Sequence, residues 1–279
     1  MRIDVMKTYK LFIGGAFPRS ESGRSYELKD KKGNFLANPA LASRKDLRDA
    51  VVAAKGAFPG WSHATAFNRG QILYRMAEML EGRTEQFVAE IKALEGVTDL
   101  VARKQVQDAI DLWVWYAGWS DKISTTSGGT NPIAGPYYNF TIPEPLGVVG
   151  VIAEEKESLL GITRGLAPVI ASGNTSVLIA SETSPLSAIT LAEVIATSDV
   201  PAGVVNVLTG KKSELIPWLA SHMEVDGIDI SGADKKLDGE IKRAATENLK
   251  RIHRFDREAS LKRILCFMEY KTVWHPIGI

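Results

Sequence analysis

The 279-residue sequence has a single cysteine, Cys266, which excludes an intrachain disulfide and any cysteine-based zinc cluster. Histidine is nearly as sparse: His63, His222, His253 and His275 are scattered without metal-ligand spacing, so no metal site is expected. Neither sign of charge dominates. Lys and Arg total 34 against 33 Asp and Glu, for a net charge of +1, which excludes a protein that holds nucleic acid or anionic membrane by bulk charge. No apolar run reaches the ~18 residues of a membrane span, and the opening MRIDVMKTYK lacks the apolar core of a secretion signal. These absences together point to the cytoplasm. No internal repeat, low-complexity tract or Ser/His/Asp constellation stands out either. What is present is an ordinary globular balance, 45% hydrophobic and 24% charged, in a chain long enough to bury a large core without staples.

Helical periodicity dominates the first half. KLFIGGAF reads as a short edge hairpin closed by Gly14-Gly15. Ser43 with Asp46 three residues on has the spacing of a capping box, and Leu47, Val51, Ala54 and Phe58 keep one face of the following helix apolar until Gly60 ends it. Further helices are expected at 69–81, 84–94 and 99–123. In the last of these, Trp113, Trp115 and Trp119 read as core packing.

The pattern changes after the turn-rich TTSGGTNPIAGP. YYNFTIPEPLGVVGVIA reads as two strands around a Pro143–Gly147 turn, and Pro143 and Pro145, which cannot donate to a ladder, assign the first of them to an exposed edge or arm. Strands at 147–153, 175–179, 204–208 and 225–230 then alternate with helices at 159–172, 185–197, 213–221 and 234–249. Successive βα units predict an α/β fold: a Rossmann-like parallel sheet with helices on both faces, whose nucleotide crevice lies past the carboxyl ends of its strands. The basic stretch KRIHRFDR at 250–257 reads as a solvated linker, and Lys242-Arg243 with Lys250-Arg251 as a surface basic patch.

These residues carry a family resemblance. EPLGVVGVIA, GLAPVIASGNTSVLIASETSPLSA and PAGVVNVLTG, with IGGAF, AFPGWS and the closing EYKTVWHPIG, resemble the nicotinamide-binding half of the aldehyde dehydrogenases. The resemblance implies a discontinuous cofactor-type domain at 1–125 and 147–255. It also implies a β arm and tail at 126–146 and 256–279, with Tyr138, Phe140, Ile142, Phe267, Tyr270, Val273 and Trp274 as oligomerisation residues.

The departures from the family matter as much. A full member carries a catalytic domain between the βα units and the tail, supplying a glutamate base and a nucleophilic cysteine; here ENLKR runs through IHRFDREAS to LKRILCFMEY with no room for it. A thiolate is what the family's aldehyde oxidation requires. Cys266, in the strand-like ILCFMEY, reads as structural, so no catalytic residue is assigned. The family's Pro-Trp-Asn-Phe-Pro matches Glu154, Glu155, Lys156, Glu157 and Ser158, whose carboxylates would repel a pyrophosphate. The ribose-contacting lysine matches Ile179, and the phosphate-binding serine matches Ala233, beside Asp234, which can cap the helix itself. Ser181, Glu182, Gly232 and Lys156 are left as vestigial cofactor contacts, and no cofactor is expected, NAD or NADP binding at best weakly.

The resulting expectation is a family member without its own catalytic Cys/Glu domain, similar to the shortened second unit of two-unit aldehyde dehydrogenases. It would act as a structural or regulatory subunit, paired with a full-length NAD(P)-dependent aldehyde dehydrogenase or with itself through the arm. The alternatives are an NAD(P)- or adenine-nucleotide-binding module and an active aldehyde dehydrogenase. The sequence leaves the partner, the aldehyde and the oligomeric state open.

Overall fold

The computed structural model describes residues 7–278. Most of the leader reading of residues 1–10 therefore falls outside the described residues, as does the last residue of the tail.

In chain order the elements are β1 (Leu28–Lys29), β2 (Phe35–Ala37), α1 (Arg44–His63), α2 (Ala66–Glu81), α3 (Thr84–Glu95), α4 (Asp99–Trp119), α5 (Ile123–Ser127), β3 (Gly129–Thr130), β4 (Tyr137–Pro145), β5 (Val148–Ile152), α6 (Ser158–Ala171), β6 (Thr175–Ile179), α7 (Leu186–Ala196), β7 (Val205–Leu208), α8 (Lys212–Ser221), β8 (Gly227–Asp229), α9 (Asp238–Ala245), β9 (Arg251–His253), α10 (Lys262–Leu265) and β10 (Met268–Pro276). The core is a five-stranded sheet in the order β7-β6-β5-β8-β9 with every pairing parallel. Strand alternation feeds both of its faces. Val148, Ile152, Val177 and Ile179 point toward Leu47, Val51, Leu215 and Leu219 of α1 and α8, while Val149, Val151 and Leu178 belong to the cluster built with α2, α4, α6 and α7. Helix α6 is buried along its whole length, which explains its lack of a polar stripe. Among the described residues, no helix is long and apolar enough to cross a membrane.

Local signals explain most of these boundaries. Ser43 and Asp46 form both bonds of the capping box, and the Asp46 carboxylate also accepts from the Ser20 hydroxyl at 2.7 Å. The Gly14-Gly15 turn closes a hairpin whose Phe12 bridges Val207, covering the outer edge of β7.

Other expectations are corrected. Helix α1 does not stop at Gly60; it runs to His63 because the buried Trp61 donates its indole N–H to the Ile170 carbonyl at 3.0 Å and holds the last turn. Trp113 is buried as expected, but Trp115 is surface-exposed, meeting Tyr116 and Trp119 edge-on. The helix expected over 234–249 is broken into a 3-10 turn at Lys235–Leu237, α9 and a second 3-10 turn at Thr246–Asn248, and Leu249 ends it at φ 58°.

The stretch 250–257 is not a solvated linker. It contains β9, the fifth core strand, and its cations are engaged: Arg251 with Glu269 at 2.6 Å, Arg254 with Asp238 and the carbonyls of Ser231 and Ala233. Lys250 is buried against Asn248, and burial pushes its ammonium down to about 8.

A separate three-stranded antiparallel sheet, β10-β4-β3, forms the arm. Strand β3 pairs only with Phe140 and Thr141, so Pro143 and Pro145 face β10 on one side and no strand on the other, consistent with their missing N–H groups. The arm's second strand is Met268–Pro276, and Ile264 and Phe267, in the tail just before it, pack into the main core.

The junction between β9 and β10 is closed by Arg263, which is 2% exposed. Its guanidinium donates to the carbonyls of Arg164 at 3.0 Å, Glu258 at 3.2 Å and Asp256, lies over the Phe255 ring, and faces the buried Asp229 carboxylate at 3.6 Å. Burial pushes the Asp229 carboxyl up, and the Ser231 donors and Arg263 pull against that. Arg263→Leu is expected to destabilise the fold by about 3 kcal/mol, since it strands a buried carboxylate and several carbonyls; Asp229→Asn added to it should recover part of the loss. Denaturant unfolding checks this, and a loss below about 1 kcal/mol for the single variant would remove Arg263 as the clamp.

Candidate functional site

Chain order reverses between β5 and β8: one half of the sheet runs outward through β6 and β7, the other through β9. A crevice of about 810 Å³ opens at this switch point, past the carboxyl ends of the strands. Glu154, Glu155 and Lys156 line it from the loop after β5, Glu182 and Thr183 from the loop after β6, Lys212 from the start of α8, and Gly232 to Asp234 from the loop after β8.

The centre of the crevice is an internal ion pair. The Glu155 carboxylate accepts from the Ser181 hydroxyl at 2.8 Å, the Thr183 hydroxyl at 3.0 Å, the Thr183 N–H at 3.2 Å and the Glu182 N–H at 3.3 Å, and it pairs with the Lys212 ammonium. Lys212 is buried, and its remaining donors go to the carbonyls of Ala153 and Gly232. Burial raises the Glu155 carboxyl, but the Lys212 charge and the hydroxyl and amide donors more than offset it and hold it below the usual carboxylate range.

The helix N-termini around the crevice are also capped from within. Helix α6 presents the N–H groups of Ser158 and Glu157 to Glu95, at 2.8 and 3.2 Å, and that of Leu159 to Gln105 at 3.1 Å. Helix α8 presents the Lys212 N–H to Glu182 at 2.6 Å, with Lys211 as a second partner of that carboxylate. Asp234 caps the Lys236 N–H at 3.0 Å. The carboxylates of 154–157, expected to repel an anion, are neutralised: Glu154 pairs with Arg257 at 2.9 Å, and Glu157 with Arg164 at 2.8 Å and Arg257 at 3.2 Å. What opposes an anionic ligand is therefore occupancy more than repulsion.

The four positions singled out from the sequence converge here with different roles. Ser181 is buried and bonded to Glu155; Glu182 caps α8; Lys156 is exposed on the rim. Gly232 packs so closely on the end of β5 that a Cβ there would lie 2.1 Å from the Ala153 oxygen. Ile179 is fully buried in β6 and Ala233 offers no hydroxyl. These residues do not fit a nicotinamide dinucleotide: the donors around the crevice already hold carboxylates of the chain, and the positions matched to the ribose-contacting lysine and the phosphate-binding serine are the apolar Ile179 and Ala233. Lys212, Thr183, Glu95, Gln105 and Arg257 were not found from sequence. Only Lys212, next to a strand end, carries a local signal; Glu95 and Gln105 arrive from helices distant in the chain.

Cys266 lies outside the crevice lining. It caps α10 and is not in a strand, correcting the strand-like reading of ILCFMEY. Burial pushes its thiol up, the opposite of what a nucleophile needs. Among the described residues, no cluster of His, Cys, Asp and Glu could hold a metal ion.

In the arm, Tyr138, Phe140 and Ile142 alternate along β4 and share a face with Val273, while Tyr270 and Trp274 lie on the other face with Tyr137. Phe267 is not among them. It is 1% exposed and packs against Gly227, Leu146 and His253, so it is corrected to a core residue.

The aldehyde dehydrogenase family model matches residues 18–254. The cytosolic 10-formyltetrahydrofolate dehydrogenase of Pongo abelii is 35% identical over 253 residues, covering 88% of this chain and 28% of that protein. An aldehyde dehydrogenase of Aspergillus niger is 33% identical over 87% of this chain and 48% of its own. Among solved structures, the NAD+ complex of an aldehyde dehydrogenase from Bacillus cereus superposes with a TM-score of 0.83 at 28% identity, over 88% of this chain and 50% of that one. The chain thus spans half or less of the length of these relatives.

Gly232→Ala is expected to lower stability by about 3 kcal/mol, because the clash is with backbone and not with a movable side chain. Thermal unfolding measures it, and an unchanged melting temperature would show that the loop after β8 yields freely.

Proposed function

The chain belongs to the aldehyde dehydrogenase family, and from that premise we propose that it is a non-catalytic member of it, a cytoplasmic pseudoenzyme serving as a structural or regulatory subunit. It assembles with a full-length NAD(P)-dependent aldehyde dehydrogenase through its β arm. The observation that carries this reading is the direct passage from β9 to β10: residues 254–267 close the junction through Arg263 and leave no place for a domain bearing a nucleophile. The sole thiol lies outside the crevice lining and burial pushes its pKa up, and the donors of the crevice already hold the chain's own carboxylates. Aldehyde oxidation by this chain then has neither a hemithioacetal-forming sulfur nor a seated hydride acceptor.

The arm supports the assembly. Among the described residues, no strand pairs with the outer edge of β10, a nine-residue strand that carries exposed Tyr270 and Trp274 beside exposed Tyr137, Tyr138 and Ile142 of β4. An unpaired edge of this length is aggregation-prone unless another chain continues its ladder. Backbone pairing would supply affinity and the aromatics specificity.

Size exclusion with light scattering, on the chain alone and co-expressed with a full-length dehydrogenase, tests the reading. A stable mixed complex is expected, and Ile142→Lys with Trp274→Ser should weaken it at least ~tenfold. A lone monomer that ignores the dehydrogenase overturns it, and a stable homo-oligomer replaces the partner by a second copy. Titration calorimetry with NAD and NADP should give no heat at millimolar ligand; an affinity tighter than ~100 µM would instead favour a nucleotide-binding module.

A further inference from the structure

A second cavity, of about 590 Å³, lies where the start of α1 meets the end of α8. It shares no lining residue with the crevice at the switch point of the sheet. Arg44, Leu47 and Arg48 line it from α1, and Trp218, His222 and Met223 from the end of α8 and the turn after it. Leu47 is buried, but Trp218 is 41% exposed and Met223 60%, so two large apolar side chains border this cavity uncovered by the core.

The polar lining divides into groups with partners and groups without. Lys45 pairs with Glu21 at 3.5 Å, and Arg48 with Asp49 at 2.9 Å. Glu21, the one carboxylate of the lining, also accepts from the Ser43 hydroxyl at 3.1 Å. Arg44 has no carboxylate partner among the described residues. Its guanidinium lies over the Trp218 ring, 3.8 Å from the centroid. Stacking occupies the flat face of a guanidinium and leaves its N–H edge for an acceptor. The Trp218 indole N–H likewise meets no acceptor among the described residues, although indole nitrogen can only donate. His222 accepts the Glu224 N–H on Nδ1 at 3.2 Å, which places the proton of the neutral ring on Nε2, a third donor in the lining. An aromatic wall, one unpaired cation and neutral N–H donors thus border a single space.

The geometry points to a binding site for a small aromatic monocarboxylate, whose carboxylate accepts from the edge of the Arg44 guanidinium and whose ring lies against Trp218 and Met223. One unpaired cation matches one negative charge. A dianion such as phosphate would meet Glu21 with no second unpaired cation to offset it. A neutral aromatic molecule would leave the Arg44 donors without an acceptor, and a short aliphatic acid would leave the apolar wall wet. The site goes beyond the subunit reading and does not depend on it: a chain that ignores the dehydrogenase can still bind the acid, and a chain that ignores the acid can still assemble.

The full chain is titrated calorimetrically with naphthoate and, separately, with acetate, naphthylmethanol and inorganic phosphate at matched ionic strength. Naphthoate is expected to bind with a Kd of about 1 mM or tighter, at least ~tenfold more tightly than acetate, naphthylmethanol or phosphate. Arg44→Gln and Trp218→Ala should each weaken naphthoate at least ~tenfold, whereas Arg48→Gln, which removes a cation already paired, should leave it unchanged. Trp218→Phe, which keeps a ring beneath Arg44, should hold the affinity within about threefold. Should Trp218→Ala fail to fold, Arg44→Gln and Trp218→Phe decide the matter, since both keep the helix-packing residues in place. No heat at millimolar naphthoate overturns the site. Naphthylmethanol or acetate binding as tightly as naphthoate overturns the aromatic carboxylate as its ligand, and phosphate binding more tightly overturns the single charge. Full affinity in Arg44→Gln overturns the placement of the carboxylate.

Discussion

The buried guanidinium of Arg263 is the contact on which the rest of the molecule depends. A parallel sheet of this order leaves its last strand, β9, with the chain pointing away from the arm, and the chain must turn back within residues 254–267 to reach β10. A turn that tight folds backbone carbonyls inward, where each needs a donor. Arg263 supplies donors to two of them, Asp256 and Glu258, and to the Arg164 carbonyl of α6, and places its charge beside Asp229, the buried carboxylate at the end of β8. Asn174 performs the matching task at the base of the arm. Its amide donates to the Phe267 carbonyl at 2.8 Å while its oxygen accepts the Gly147 N–H at the same distance. Two polar side chains therefore fix where the arm leaves the core.

The same economy governs the crevice. A Rossmann-like sheet gathers helix N-termini around its switch point, and their free N–H groups favour negative charge. A chain that held no anionic ligand would carry those donors unsatisfied. Here Glu95, Glu182 and Asp234 each take N–H groups at a helix start, and Glu155 takes the hydroxyls and N–H groups of the loop after β6. Charge-assisted bonds of this kind are worth about 1.5–3 kcal/mol each in partly buried settings, so any incoming phosphate competes with a bond already made. Unlike charge repulsion, which salt screens, this occupancy persists at high ionic strength.

Elements built on local rules were legible in the sequence. The Ser43–Asp46 box, the βα alternation and the proline-marked arm strand all depend on neighbours within a few residues. The misreadings share a different cause. Arg251 and Arg254 made β9 look solvated, yet each meets a carboxylate or carbonyl brought by another element. Gly60 resembled a helix stop, but Trp61 is held by a carbonyl on α6, more than a hundred positions away. Phe267 shares the aromatic character of its arm neighbours and differs only in facing Gly227. At the crevice, Ser181, Glu182, Gly232 and Lys156 were found by their place in a motif, whereas Glu95 and Gln105, which cap the start of α6, became visible only when helices were set side by side.

Arm and crevice together define how a half-length family chain holds together. Removing a domain from the middle of a chain exposes two kinds of surface: an edge of backbone donors and acceptors, and a set of ligand contacts. The second kind is repaired inside this chain, carboxylate by carboxylate, and the first is not. Among the described residues, strand β10 keeps an open outer edge, with Tyr270 and Trp274 on one face of the arm and Tyr138 and Phe140 of β4 on the other. The crevice donors are thus satisfied within the chain whereas, among the described residues, the outer edge of β10 is not, and that asymmetry is what supports the proposed assembly through the arm.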